Sequence, residues 1–373
     1  MKQDVFKHGE NRDRYRDKRR FIKFLCGSLH SLVYLCVITF SACVSEVQLP
    51  IRQVAARLVV DGLITDEAPP YPIKLTLSGA YSSGGGFPEE LIINGAVVTI
   101  TDNGDRTVQL EQDPLLPSYY WVRDTTFRGQ AGHRYTLKVV MPNGTVYVSS
   151  PELLAPVAPL DRISAEYQRS DGSFGQPDSY RILIDTHDPA TLGDYYRWST
   201  FSYVPRWTSF DPQHPPSSGT DVCNTCSCWV PYYSQLTNVL SDALINGNTI
   251  SHRQVFNSPV YATGKQYVEV RQYSLTRSAY QYWTHFEEQR SRTGSLFDPQ
   301  PASIEGNVHQ QADTTVLALG YFGASSVSKQ RLVVRGDTIQ YDKFLNRLNK
   351  SFIPPGHCPD NFSIFQLGPP VGW

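Results

Sequence analysis

Between Ala56 and Ser150 short runs of alternating apolar and polar residues are cut repeatedly by turn residues, and no other feature narrows the fold of this chain as much. Side chains on a strand point alternately to opposite faces, so such runs suit strands buried on one face. The runs are Ala56–Asp61, Tyr71–Leu77, Ala96–Thr101, Arg106–Glu111, Tyr119–Arg123, His133–Val140 and Thr145–Ser150. Asp102-Asn103-Gly104 and Pro142-Asn143-Gly144 supply residues that tolerate a positive φ in hairpin turns. Seven short strands over this length predict an immunoglobulin-like or transthyretin-like β-sandwich at 56–150. The region has no Cys–Trp–Cys pattern, so the immunoglobulin likeness is one of architecture. Ser82-Ser83-Gly84-Gly85-Gly86 has no following lysine or helix start and reads as a flexible loop.

Residues 151–160 hold three prolines and read as a linker. Beyond it, 161–373 reads as a second β-rich domain with strands near Arg162–Gln168, Tyr180–His187, Tyr195–Tyr203, Tyr267–Tyr273, Val316–Phe322 and Arg331–Val334. One packed helix is expected at about 275–291, capped by Ser274 or Thr276, with Ala279, Trp283, Phe286 and Arg290 along one face. Residues 205–233 form a long Pro/Ser/Cys stretch, expected to be a disulfide-stapled loop.

The N-terminus reads as an address. Lys18, Arg19, Arg20 and Lys23 precede an apolar run from Phe24 to Ala42, and Ser41-Ala42 lead into Cys43. A basic region, an apolar core and small residues before a cysteine predict a lipoprotein-type signal peptide at 1–42, with Cys43 lipidated and 43–55 as a tether. The alternative is an uncleaved anchor, since the run approaches the roughly 20 residues a spanning helix needs. Residues 1–42 carry nine Lys/Arg and four Asp/Glu, while the whole chain is −1, so the remainder is about −6. Nucleic-acid binding needs a basic face, and none is suggested.

Four of the seven cysteines, Cys223, Cys226, Cys228 and Cys358, lie beyond Cys43. In an exported chain they predict two disulfides with three possible connectivities. A four-sulfur zinc site, with His357 adjacent, and a redox pair at Cys223-x-x-Cys226 are the alternatives.

Catalytic signals are poor. The nine histidines show no metal-binding spacing. His187-Asp188 reads as a turn, and His285 and His309 have no evident partner. Glu287-Glu288 reads as a solvated helix face. Ser326-x-x-Lys329 matches one motif of penicillin-binding enzymes without its companions. No catalytic residue, metal or cofactor is expected. The aromatics offer more. Tyr196 and Trp198 fit a strand core, whereas Trp207, Trp229, Tyr232 and Tyr233 stand among Pro and Ser as candidate contacts for a ligand or partner.

Several blocks together resemble the DUF4249 family: Leu58-Val59-Val60-Asp61-Gly62-Leu63-Ile64-Thr65-Asp66, Tyr273-Ser274-Leu275, Tyr280-x-Tyr282-Trp283, Leu296-Phe297-Asp298-Pro299-Gln300-Pro301, Ile304-Glu305-Gly306-Asn307 and Leu319-Gly320-Tyr321-Phe322-Gly323-Ala324-Ser325. The resemblance implies an exported lipoprotein of Bacteroidetes-type bacteria, held in the outer membrane by lipid on Cys43. It implies a surface-facing accessory or ligand-binding partner of a TonB-dependent receptor, with no catalytic residues. Family tails often carry a cysteine pair. Here Cys358 stands alone, and its partner would come from Cys223, Cys226 or Cys228. The rival readings are a secreted hydrolase acting on glycans or peptides, and a structural zinc protein.

Overall fold

Among the described residues, alternation along the chain becomes four sheets stacked in two pairs. The computed structural model describes residues 55–79, 91–171, 176–208, 225–234, 237–291, 304–336 and 352–373. Cys43, Cys223, the Gly-rich loop, the Phe297–Pro301 turn and residues 209–224 lie outside them. The first stretch supplies β1 (Leu58–Thr65), β2 (Tyr71–Leu77), β3 (Val97–Asp102), β4 (Thr107–Gln109), β5 (Glu111–Gln112), β6 (Tyr119–Val122), β7 (Arg134–Val140), β8 (Val146–Ser149) and β9 (Glu152–Leu153). The second supplies β10 (Leu160–Gln168), β11 (Asp178–His187), β12 (Tyr195–Trp207), β13 (Ser227–Tyr233), β14 (Asn238–Ser241), β15 (Thr249–Val260), β16 (Gln266–Leu275), helix α1 (Arg277–Arg290), β17 (Val308–Gln310), β18 (Leu319–Ser325), β19 (Val327–Val334) and a short helix α2 (Cys358–Asn361).

The first sandwich faces the order β18-β1-β2-β6-β5 against β17-β8-β7-β3-β4, with β9 added to β7. Its core takes the inward residues of both sheets, among them Val60, Ile73, Leu75, Val98, Ile100, Val122 and Leu137, all fully buried. Each contributes on the order of 1.5–3 kcal/mol of burial. The second sandwich sets β10-β11-β15 against β13-β12-β16-β19, with β14 on β12. Its core holds Tyr196 and Trp198 beside Ile182, Ile184, Val268 and Val270.

The sandwiches do not divide at residue 150. β18 pairs in parallel with β1, Val60 opposite Gly320, and β17 pairs with β8, so two strands from far downstream complete the first sandwich. A parallel neighbour must arrive by a crossover, and here the connection from β1 to β18 runs through the rest of the first sandwich and every strand of the second except β19. Gly320 makes the close approach possible: its φ is +83°, and a Cβ there would stand 1.9 Å from the Val60 carbonyl oxygen. The stretch 151–160 is not a bare linker either, since it contains β9 and the start of β10. Its prolines, Pro151, Pro156 and Pro159, all fall outside these strands.

The expected loop at 205–233 is largely strand at its two ends. β12 runs to Trp207 and pairs with β13, and Pro231 is accommodated because β13 is an edge strand. β15, twelve residues long, has no counterpart among the predicted strands. Two register shifts against β11 and a positive φ at His252 break its alternation. In the first hairpin the positive φ falls on Asp105, with Asp102 Oδ1 accepting from the amides of Gly104 and Arg106. In the second it falls on Gly144, as the Asn-Gly pair predicts.

Helix α1 begins where Thr276 Oγ1 accepts from the Ala279 amide at 3.2 Å. Its packed face carries Ala279, Tyr280, Tyr282 and Trp283 against Leu275, Tyr195 and Tyr321. The apolar stripe stops there. Phe286 is exposed, and Arg290 pairs with Glu287 rather than entering the core.

Candidate functional site

At one margin of the second sandwich both sheets end together, β15 as the edge of one and β13 as the edge of the other. Between these edges lies a groove of about 480 Å³, within the roughly 300–1,000 Å³ common for small-molecule sites. Tyr232, Tyr233 and Ser234 line one wall, while Gln254, Val255, Phe256, Asn257 and Pro259 line the other. Gln176, Pro177, Ser179, Asn238 and Tyr261 add to it, and among the described residues no lining side chain is charged.

The base is rigid. Tyr232 packs on Tyr261 with ring centroids 5.6 Å apart, and Tyr261 meets Phe352 at 5.3 Å. Behind them the buried Arg206 guanidinium lies 3.8 Å from the Tyr261 ring centroid and donates to the Tyr232 hydroxyl at 3.3 Å and to the Phe352 carbonyl at 3.2 Å. Burial pushes the Tyr232 phenol up to about 12, although Arg206 opposes the shift. At neutral pH it therefore remains a neutral group that can donate as well as accept.

The rim is more open. Tyr233 is 59 % exposed and leans on Phe201 with centroids 5.9 Å apart. On the facing wall Val255 is the extra residue of a bulge, because Ile182 pairs with Phe256 and Leu183 with Gln254. The bulge turns Val255 and Phe256 toward the core and leaves Gln254 and Asn257 both exposed. Gln254 Nε2 donates to Asn257 Oδ1 at 2.8 Å. Asn238 is held by Arg253, which donates to its Oδ1 at 2.7 Å, and itself donates to the Gln254 carbonyl.

Of the four aromatic candidates, the structure brings Tyr232 and Tyr233 to the groove and leaves Trp207 and Trp229 out of its lining. Trp229 instead engages the C-terminal stretch: its backbone exchanges two hydrogen bonds with Gln366, and its indole donates to the Lys265 carbonyl. Trp207 ends β12 opposite Ser227. Cys228 is bonded to Cys358, and Cys226 is also disulfide-bonded. Cys228 and Cys358 are both fully buried, and their sulfurs are spent on each other rather than offered to zinc.

The family model for DUF4249, a domain of unknown function, matches residues 44–331. The chain belongs to the DUF4249 family. No curated protein matches it.

The DUF4249 resemblance blocks do not gather at the groove. Those within the described residues meet where the two sandwiches join. Leu58–Thr65 is β1, Leu319–Ser325 is the strand beside it, Tyr273–Leu275 ends β16, and Tyr280, Tyr282 and Trp283 are the packed face of α1. Asn307 aligns its amide with the backbone of Phe322, accepting from the nitrogen at 3.0 Å and donating to the carbonyl at 2.8 Å. At the centre sits Glu152, only 3 % exposed, which accepts from Tyr321, Thr276, Asn307 and Ser278. Burial raises its pKa although all four bonds oppose that shift. Ser274 adds a second tie, donating to the Ala155 carbonyl at 2.6 Å and accepting from the Ser326 amide. Lys329 is engaged with Glu67 across 2.5 Å, so Ser326 and Lys329 both serve the joint.

A second polar centre in this DUF4249 chain holds Asp188, Asp194 and Asp242, whose carboxylate oxygens lie within 4.8 Å of one another and have the spacing to share a divalent cation. Each is also a structural acceptor. Asp188 takes the Tyr196 hydroxyl and the Gly247 amide, Asp242 takes the amides of Gly193 and Asp194, and Asp194 takes the Thr191 hydroxyl. Burial, and then the neighbouring carboxylates, raise the pKa of Asp194 against the Thr191 bond. His187, next to this centre, is not in a turn but ends β11, paired with Thr249, whose Oγ1 lies 3.3 Å from its ring nitrogen.

Sequence reasoning missed Gln254, Phe256, Asn257 and Tyr261. The signal was an apolar pair, Val255-Phe256, between two amides in a run rich in strand formers, which is how a bulge disguises a strand.

Proposed function

We propose that this protein is a surface-facing outer-membrane lipoprotein, held by lipid on Cys43, that serves as an accessory or ligand-binding partner of a TonB-dependent uptake system. The observation that carries the binding role is the groove, to which two of the four sequence-designated aromatics converge over a rigid base. The export signal and Cys43 support the location. Among the described residues no helix is long and apolar enough to cross a membrane. Anchorage in this reading rests on acyl chains, each buried methylene adding about 0.8 kcal/mol.

The test is a pull-down of the tagged protein from its native outer membrane in mild detergent, with partners identified by mass spectrometry. Stoichiometric recovery of a TonB-dependent receptor is expected, and a partnerless protein overturns the stable-complex reading. In parallel, Cys43→Ala should leave the outer-membrane fraction.

A further inference from the structure

We propose that the groove between β13 and β15 binds an uncharged oligosaccharide, with Tyr233 stacking on a sugar ring and the Gln254–Asn257 pair holding adjacent hydroxyls. This inference rests on the ligand-binding reading above and names the ligand class for the same groove.

Charge is the first argument. Among the described residues no lining side chain is of a charged type, so a phosphate or carboxylate ligand would lose hydration with no charged partner among them to compensate it. A purely apolar ligand fails for the opposite reason, because it would cover the outward amide atoms of Gln254 and Asn257 without bonding them. A sugar satisfies both. Its C–H face suits an aromatic ring, and its hydroxyls both donate and accept.

The second argument is the placement of the polar atoms. The bond from Gln254 Nε2 to Asn257 Oδ1 leaves Gln254 Oε1 as an acceptor beside Asn257 Nδ2 as a donor. Reversing both amides reverses the bond and still presents one acceptor and one donor. Neighbouring hydroxyls on a sugar ring are the complement of such a pair. Tyr233, 59 % exposed and braced by Phe201, offers a fixed ring at low entropic cost.

An extended peptide adding itself to either edge strand is the competing occupant. Both edges are blunted for that purpose, because Pro231 on β13 and Pro259 on β15 each remove a backbone donor.

The experiment is calorimetric titration of the full lipoprotein, kept in a detergent without a sugar headgroup, with maltohexaose, cellohexaose, xylohexaose and mannohexaose. At least one should bind. Tyr233→Ala should weaken it by about ten-fold, and Asn257→Leu should weaken it comparably, with both variants melting as the parent does. No heat from any of the four at millimolar ligand overturns the proposal, as does equal affinity in parent and both variants. Saturable binding of an extended peptide that protects Tyr233 overturns it in favour of the edge-pairing occupant. If the pull-down recovers a receptor while all four sugars fail, the saccharide inference falls and the accessory reading stands. If sugars bind without a receptor, the reverse holds.

Discussion

Tyr321 donates its hydroxyl hydrogen to Glu152 across 2.6 Å, joining β18 of one sheet to β9 of the facing one. Thr276 and Ser278 reach the same carboxylate from the start of α1, so the exit of the second sandwich is fastened there as well. A buried carboxylate with four donors is costly to expose and costly to leave half-paired. The joint is therefore a cooperative unit, and the two sandwiches are expected to unfold together.

Glu152→Ala should destabilise the protein by about 2–4 kcal/mol, because it removes the acceptor that Tyr321, Thr276, Ser278 and Asn307 share in a dry site. Glu152→Gln should cost far less. The pH dependence separates the charge from the bonds. Burial holds the folded-state pKa of Glu152 above its usual value. Its ionisation therefore costs stability above the folded pKa, and that cost disappears as pH falls through the folded pKa toward the unfolded value, about 4.3. The melting temperature of Glu152→Gln minus that of the parent should become more positive between about pH 4 and pH 8. A flat difference across that range would sink this account of the site.

Gly320→Ala should prevent β18 from seating beside β1. The residue has φ +83°, and its new Cβ would stand 1.9 Å from the Val60 oxygen. The expected loss is about 3 kcal/mol or more, from strain plus displaced pairing. Gly144→Ala isolates the strain, since its φ is +84° but nothing lies within 4 Å of a Cβ there. It should cost only about 1–2 kcal/mol. Equal losses in urea melts of the two variants would show that the close approach is not what demands glycine.

Cys228→Ser combined with Cys358→Ser should lower stability by about 2–5 kcal/mol, as expected when a cross-link over a long loop is removed. The two cysteines are 130 residues apart. The effect should be largest near α2, where the Cys358 amide donates to the Thr225 carbonyl and Gln366 pairs with Trp229. Hydrogen exchange should rise across 352–373 while β1 and β18 remain protected. Uniform loss of protection would contradict a local staple.

Asp194→Asn should stabilise the protein at neutral pH. Burial and the neighbouring Asp188 and Asp242 raise its folded pKa. The stability cost of ionising it is thus present above that pKa and vanishes as pH falls toward the unfolded value, about 3.9. The variant should melt above the parent at pH 7, and the gap should close by about pH 4. A lower melting temperature at pH 7 would mean that the charge serves the loop in another way.

How far the fold could be read beforehand differs from strand to strand. β2 and β7 alternate apolar and polar residues in sequence and β16 does so from Val268 to Arg271, and their predicted spans differ from the observed ones by at most two residues at either end. β15 alternates only in pieces, because its bulges move consecutive residues such as Val255 and Phe256 to one side. The groove inherited that blindness. Tyr232 and Tyr233 stood out as aromatics beside prolines, whereas Gln254 and Asn257 were ordinary amides until the bulge set them side by side.

Local rules acting over a few residues were enough to establish a β-rich chain and to narrow the start of α1 to Ser274 or Thr276, since periodicity and capping depend on near neighbours. The parallel closure of β18 on β1, the choice of Cys228 for Cys358, the burial of Glu152 and the groove between two sheet edges were decided only in the tertiary structure. Each joins residues that are distant in sequence, and which partners meet is settled by how whole sheets pack, a global property that no short window of sequence contains.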